Sequence, residues 1–297
     1  MSVILVTGGT GQVGQALARL PWDADTTLLV PARAEMDLGN PASIAAYLGG
    51  RAVDLVINSG AYTAVDGAES DVAAAFAINA QGPAILADVT RAAGIPIIHL
   101  STDYIFSGTK PDAYVEDDPV GPLGVYGASK LAGELAVRLG NPRSVVLRTA
   151  WVLSPFGKNF LKTMRRLAAT RSAIDVVADQ IGCPTSADDI ARAIHGIARA
   201  HLGRTDAPTG VYHFVNGGAA SWCDLANAIF ALDGSATVAR PITTAEYPTT
   251  ACRPANSRLS TAKISADFGI FPRPWKDAVA EIVIELQETE KTRGRKS

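Results

Sequence analysis

Thr7-Gly8-Gly9-Thr10-Gly11-Gln12-Val13-Gly14 follows the apolar run Val3-Ile4-Leu5-Val6 and opens a helical stretch. Glycines at 8, 11 and 14 give the chain a tight turn, let backbone come close to a diphosphate, and allow strand and helix to pack closely. The amides and dipole at the N-terminus of the next helix then face the anion. Glycine spacing alone also fits a bare strand-to-helix turn. Its place at the first strand of a repeating pattern is what makes it a dinucleotide site.

That pattern continues outward from the loop. Val3–Thr7, Leu28–Pro31, Val53–Asn58, Ile95–Ser101 and Ser144–Arg148 read as strands, nearly continuous apolar runs suited to a sheet covered on both faces. Val13–Leu20, Ala42–Leu48, Glu69–Ala93 and Ser129–Leu139 between them have helical composition. Strand, helix, strand in series implies right-handed crossovers and an α/β fold, a Rossmann-like doubly wound parallel sheet. After Trp151 the rhythm loosens into short strands (Ala173–Val177, Val211–Phe214, Ala236–Ala239) and helices (Ala187–Ala200, Ser221–Ala231, Trp275–Leu286). The expected division is residues 1–150 as a nucleotide-binding domain and 151–297 as a smaller, mixed α/β substrate-binding lobe, with some segments returning to the first domain.

Composition narrows the function. Hydrophobic residues are 47% and charged residues 19% of 297, which suits a compact globule. A net charge of −2 gives no field for a nucleic-acid backbone, so no nucleic-acid partner is expected. The basic tail Lys291, Arg293, Arg295, Lys296 reads as a solvated, frayed terminus. Cys183, Cys223 and Cys252 fit neither a disulfide framework nor metal spacing, and His99, His195, His201 and His213 show no ligand pattern. Met1 leads straight into an apolar strand, without the features of a secretory signal, and no segment reaches the ~20 apolar residues of a membrane span. A cytoplasmic protein without membrane partners, monomer or homodimer, is the expectation.

The residue that reads the adenosine ribose should lie about 20 residues past the glycines. Arg33, Glu35 and Asp37 fall there. Arg33 would meet a 2′-phosphate, an acid would meet a free hydroxyl, and a solvated Arg33 would meet neither. The reading adopted is NADPH, with NADH tolerated. Tyr126-Gly127-Ala128-Ser129-Lys130 sets tyrosine and lysine one helical turn apart on one face. A phenol titrates near pH ~10, and a neighbouring ammonium is expected to lower that value enough for proton transfer. Thr102, in Ser101-Thr102-Asp103 at the end of the fourth strand, is placed to hold a carbonyl, since ligands of open α/β sheets bind beyond the carboxyl ends of strands.

These residues resemble the extended short-chain dehydrogenase/reductases, and within them the rhamnose-pathway reductases. The resemblance runs along nearly the whole chain: the glycine loop with Gln12, Ala61-Tyr62-Thr63-Ala64-Val65-Asp66 with Glu69, Asn79, Ser101–Phe106, Tyr126–Glu134 and Arg148–Val152. It continues through Asp179–Thr185, Gly210–His213, Ser221-Trp222 and Arg253–Leu259. It implies reduction of the 4-keto group of a dTDP-linked 6-deoxy-L-hexulose to give dTDP-L-rhamnose, with Thr102, Tyr126 and Lys130 as the catalytic set. It further implies that Gly8, Gly11, Gln12, Val13, Gly14, Arg33, Asp37, Leu38, Ala61, Tyr62, Thr63, Asn79 and Ser101 hold the cofactor together with Tyr126 and Lys130. Val65, Thr102, Asp103, Trp151, Arg253 and Asn256 are implied to meet the nucleotide sugar. Some members are thought to bridge subunits through carboxylates and Mg²⁺; that ion is not expected here.

Two departures stand out. Related dehydratases carry an acid directly after the Thr-Asp pair, where this chain has Tyr104, which favours simple reduction. Ala150 stands where serine is common, removing a hydroxyl near the sugar. Two competing readings are an epimerase/reductase on another nucleotide sugar, which needs a further acid or base such as Cys183 or His213, and a non-catalytic NADP-binding regulatory subunit.

Overall fold

The computed structural model describes residues 1–294. Five of its strands, β1 (Ser2–Thr7), β2 (Thr26–Leu29), β3 (Leu55–Asn58), β4 (Ile97–Thr102) and β5 (Ser144–Thr149), are the apolar runs read from the sequence. They join a sixth in one parallel sheet, ordered Gly210–His213, β5, β4, β3, β1, β2. Winding reverses between β1 and β3, and a crevice opens at the carboxyl ends of strands at such a switch point.

Alternate side chains feed two cores. Ile4, Val6, Ile57, Ile98 and Leu147 pack against α1 (Gln12–Arg19) and Ala187–Gly203 on one face. Leu5, Val56, Ile97 and Val146 meet α2 (Pro41–Leu48) and two later helices through Ile44, Leu86 and Val137 on the other. Each such fully buried aliphatic stabilises the fold by about 1.5–3 kcal/mol before entropy is counted.

The expected single stretch Glu69–Ala93 is broken into α3 (Val65–Ala68), α4 (Val72–Phe76), a π-helical turn over Ala77–Gln81, and α5 (Gly82–Ala92). Pro83 has no N–H for the Asn79 carbonyl. That carbonyl faces Gly133 of the next helix, where a Cβ would lie 2.0 Å from it. By length and composition the 21-residue Val72–Ala92, with an 18-residue window of mean hydropathy 1.3, could cross a membrane, contrary to the expectation that no segment has the apolar length of a span. In the fold it covers the sheet through Leu86, Ala87 and Thr90.

Helix α6 (Val125–Gly140) starts before the expected Ser129, so Tyr126 lies in its first turn. Glu69 supplies the missing cap, its carboxylate accepting from Val125 N at 2.8 Å.

Beyond β5 the chain builds a second core from α7 (Phe160–Ala168), the parallel pair Ala173–Val177 and Val238–Ile242, Trp222–Leu232 and the helix Trp275–Gly294. Two segments return to the first sheet. The helix α8 (Ala187–Gly203) lies on α1, and the strand expected at Val211–Phe214 forms as Gly210–His213 beside β5. The basic tail is helical through Gly294, rather than frayed from Lys291; Arg295 and Lys296 lie outside the described residues.

Candidate active site

Gly8 takes φ 72°, and a Cβ there would sit 2.6 Å from Gly60 backbone. A Cβ on Gly14 would lie 2.2 Å from the Gly8 carbonyl oxygen, so this glycine serves the close contact of helix and turn. At Gly11 a Cβ would meet only the Gly8 oxygen, at 3.1 Å, which leaves its other side open. The loop borders a cavity of about 640 Å³ closed by the carboxyl ends of β4 and β5. That volume suits a small-molecule or cofactor site.

The cavity gathers Gly8, Gly11, Gln12, Val13, Ala61, Thr63, Val65, Ser101, Thr102, Asp103, Tyr126, Lys130 and Trp151 of the expected set. Ser101 Oγ and Thr149 Oγ1 are buried there without a hydrogen-bond partner among the described residues. Each orphan costs about 1–3 kcal/mol, a cost that a polar ligand offsets. Open glycine face and orphaned polar atoms together fit a dinucleotide with a polar substrate.

Thr102 donates to Asp103 Oδ1 at 2.9 Å and accepts from Tyr104 N at 3.2 Å. Tyr126 is half-buried, its ring edge-on to Tyr104 with centroids 5.5 Å apart. Removal from water pushes its phenol up to about 12, with the Thr102 hydroxyl pulling down and the Asp103 charge pushing up. The expected lowering by Lys130 is not seen. Lys130 is buried and gives its ammonium to the Leu100 carbonyl at 2.7 Å, and burial brings it down to about 8 against the pull of Glu134. One turn further, Glu134 is held by Arg148 in a fully buried pair, Nη2 to Oε2 at 2.8 Å. Burial also raises Asp103 to about 6.

Trp151 is the one non-glycine residue with positive φ, 46°, among the described residues. Such a conformation costs of order 1–3 kcal/mol and recurs at functional sites. Its indole stacks on Trp222, centroids 3.4 Å apart and planes 6° from parallel. Trp222 in turn borders a second cavity, about 600 Å³, with Phe160, Arg171, Gln180, Tyr247 and Arg253. Arg253 forks onto Asp66, at 2.9 and 3.2 Å, and so joins α3, which carries Val65, to the second lobe.

Other expected residues stand outside the first cavity. Arg33 is 77% exposed and meets Asp37 at 3.3 Å, and Leu38 is buried beneath Gly60. Asn79, in the π turn, clasps the Tyr62 backbone with both side-chain ends and donates to Ser129 Oγ, so it orients the loop and α6. Asn256 gives its amide to the carbonyls of Lys110 and Asp112 and ties down a loop. The sequence reading missed Ser59, Gly60, Thr149, Gly157 and Lys158 on the cavity wall. Ser59 and Gly60 follow β3 as Gly8 follows β1, a positional signal; Lys158 had none. Among the described residues no group of three or more His, Cys, Asp or Glu is arranged to hold a metal ion.

A family model described as the RmlD substrate binding domain matches residues 1–288. The chain belongs to the RmlD family. Among RmlD relatives, a dTDP-4-dehydrorhamnose reductase of Sinorhizobium fredii is 44% identical over 288 residues, covering 95% of this chain and 97% of the relative. The crystal structure of a dTDP-4-dehydrorhamnose reductase from Clostridium acetobutylicum superposes with a TM-score of 0.91 at 34% identity, covering 96% of this chain and 99% of that one. The Bacillus anthracis reductase, solved in complex with NADP, gives 0.90 at 31% identity over 96% of this chain and all of that one.

Proposed function

We propose that this RmlD-family chain reduces dTDP-4-dehydro-L-rhamnose to dTDP-L-rhamnose with NADPH. The observation that carries the reading is the convergence of Thr102, Tyr126 and Lys130 on the cavity that the glycine loop also lines.

A bound reduced nicotinamide supplies the hydride. Tyr126, its phenol held protonated at neutral pH by burial, gives its proton to the substrate oxygen as charge develops there. Thr102 accepts from the Tyr104 amide and donates its one proton to Asp103; turned from Asp103 to the substrate, that proton would orient the same oxygen. Lys130 lies one turn beyond Tyr126 on α6 and borders the same cavity, its ammonium anchored on the Leu100 carbonyl. The diphosphate and base of the nucleotide sugar would extend past Trp151 into the second cavity, where Arg253 and Arg171 offer cations and Phe160, Trp222 and Tyr247 offer ring faces. The lobe after residue 150, less its two returning segments, is then the substrate lobe.

The acid or base candidates of the epimerase reading lie away from the cavity. Cys183, pushed up to about 11 by burial, and His213, brought down to about 3, are both buried and neither borders the cavity. The three thiols are free, in keeping with action in the reducing cytoplasm. Incubation with NADPH and the 4-keto sugar nucleotide tests the proposal: loss of NADPH absorbance with formation of dTDP-L-rhamnose is expected. Cofactor binding without oxidation would leave the regulatory-subunit reading in its place.

A further inference from the structure

The phosphate loop Thr7–Gly14 contains no cation. It offers a diphosphate only backbone amides and a helix N-terminus. Two lysines border the cavity, and Lys130 is buried with its ammonium on Leu100. The other, Lys158, is exposed and comes from the second lobe, yet borders the same cavity as Gly8 and Gly11.

Gln12, the first residue of α1, explains how it gets there. Its side-chain oxygen accepts from Ser154 Oγ and from Asn159 Nδ2, both at 2.9 Å, while Nε2 reaches the Val152 carbonyl at 3.4 Å. Asn159 also donates to the Ser154 carbonyl at 2.7 Å and caps α7 by accepting from Lys162 N. Gly157 turns the chain at φ 61° beside Gln12. A second clamp comes from the same helix, where the Arg19 guanidinium covers the Phe156 ring at 4.7 Å. The Gln12 side chain is thus committed to the loop, and the cation next to Gln12 is Lys158.

We propose that Ser154–Asn159, latched to the phosphate loop by Gln12, forms part of the dinucleotide site, with Lys158 as the cation that meets the cofactor diphosphate. Gln12 is then a positioning residue that acts through the loop. The assignment rests on the reductase reading above, and the nucleotide sugar brings a diphosphate of its own, so the test must separate the two.

Binding is measured on the full chain, with NADPH followed by its fluorescence and dTDP by calorimetry. Lys158→Ala is expected to weaken NADPH by about fivefold, and Lys158→Arg to restore most of it. The difference between wild type and Lys158→Ala should shrink as salt is raised, because screening removes its Coulombic part. Gln12→Ala should weaken NADPH as well, and adding Lys158→Ala to it should cost less than in the wild type, since the two act as one unit. Equal NADPH affinity in wild type and Lys158→Ala would overturn the assignment. So would loss of dTDP affinity with NADPH affinity kept, which would give the cation to the sugar nucleotide. A wild-type chain that binds no NADPH would instead bring down the reductase reading itself.

Discussion

Gly182→Ala tests whether Trp151 works as a wall of the site. Gly182 lies in the two-residue strand Ile181–Gly182, paired with Ala220. A Cβ there would fall 2.3 Å from Trp151 Cε2, 2.6 Å from Nε1 and 2.7 Å from Cζ2. Carbon contacts settle at about 3.5–4.0 Å, so the indole or the strand must give by about 1.2 Å. The indole is stacked on Trp222 and carried on a strained backbone, which leaves it little slack. Overpacking of this kind costs about 1–3 kcal/mol. A displacement near 1 Å at a wall of the site can cost about 10² in rate. The expected result is a lower urea midpoint together with a fall of about 10² in kcat/KM for the nucleotide sugar, while NADPH affinity by fluorescence titration changes less than about twofold. Unchanged kcat/KM, or an equal loss of NADPH affinity, would refute the view that Trp151 shapes the sugar end alone.

Tyr126→Phe should lower kcat by about 10² or more, the scale of a lost general acid, with NADPH affinity nearly intact; stopped-flow turnover near the wild-type rate would remove the phenol from the mechanism. The Asp103 carboxyl is raised from 3.8 to about 6 by burial, so its protonated form stabilises the fold, fully below pH 3.8, and that contribution is lost as pH rises through about 6. Asp103→Asn should therefore be more stable than wild type at pH 7.5, by at most about 3 kcal/mol, and little different at pH 4; urea unfolding showing the same gap at both would contradict this. With Lys130 brought down to about 8, kcat/KM should fall as pH passes that value, and a profile flat to pH ~9.5 would deny its charge a role. Arg33→Ala should weaken NADPH more than NADH in paired titrations; equal effects would return the side chain, 77% exposed, to plain solvation.

The parts of this fold written in local chemistry were readable. Glycines at 8, 11 and 14 have one geometry that explains their spacing, and a tyrosine and lysine four apart must share a helix face. What escaped the sequence depends on partners distant along the chain. Gln12, read as a cofactor residue, borders the cavity and also holds Ser154 and Asn159, about 140 positions away. The phenol of Tyr126 rises rather than falls because its burial outweighs an ammonium that is turned toward Leu100. The π turn at Ala77–Gln81 was hidden in an Ala-rich run, though Pro83 marked the place where the ladder must lose a bond. The strand Gly210–His213 carried the right residues, and some return to the first domain was expected, but nothing local named β5 as its partner.

That return of residues 187–213 sets an order for assembly during synthesis. A nascent chain that has emerged only through β5 presents Val145–Leu147 as a bare sheet edge and the Val13, Ala16 and Leu17 side of α1 without its cover. Unpaired edges invite mispairing, so the interval before residue 213 clears the ribosome is the aggregation-prone stage of biogenesis. A fragment ending at residue 150 should behave the same way and precipitate, despite holding the entire glycine loop and both Tyr126 and Lys130.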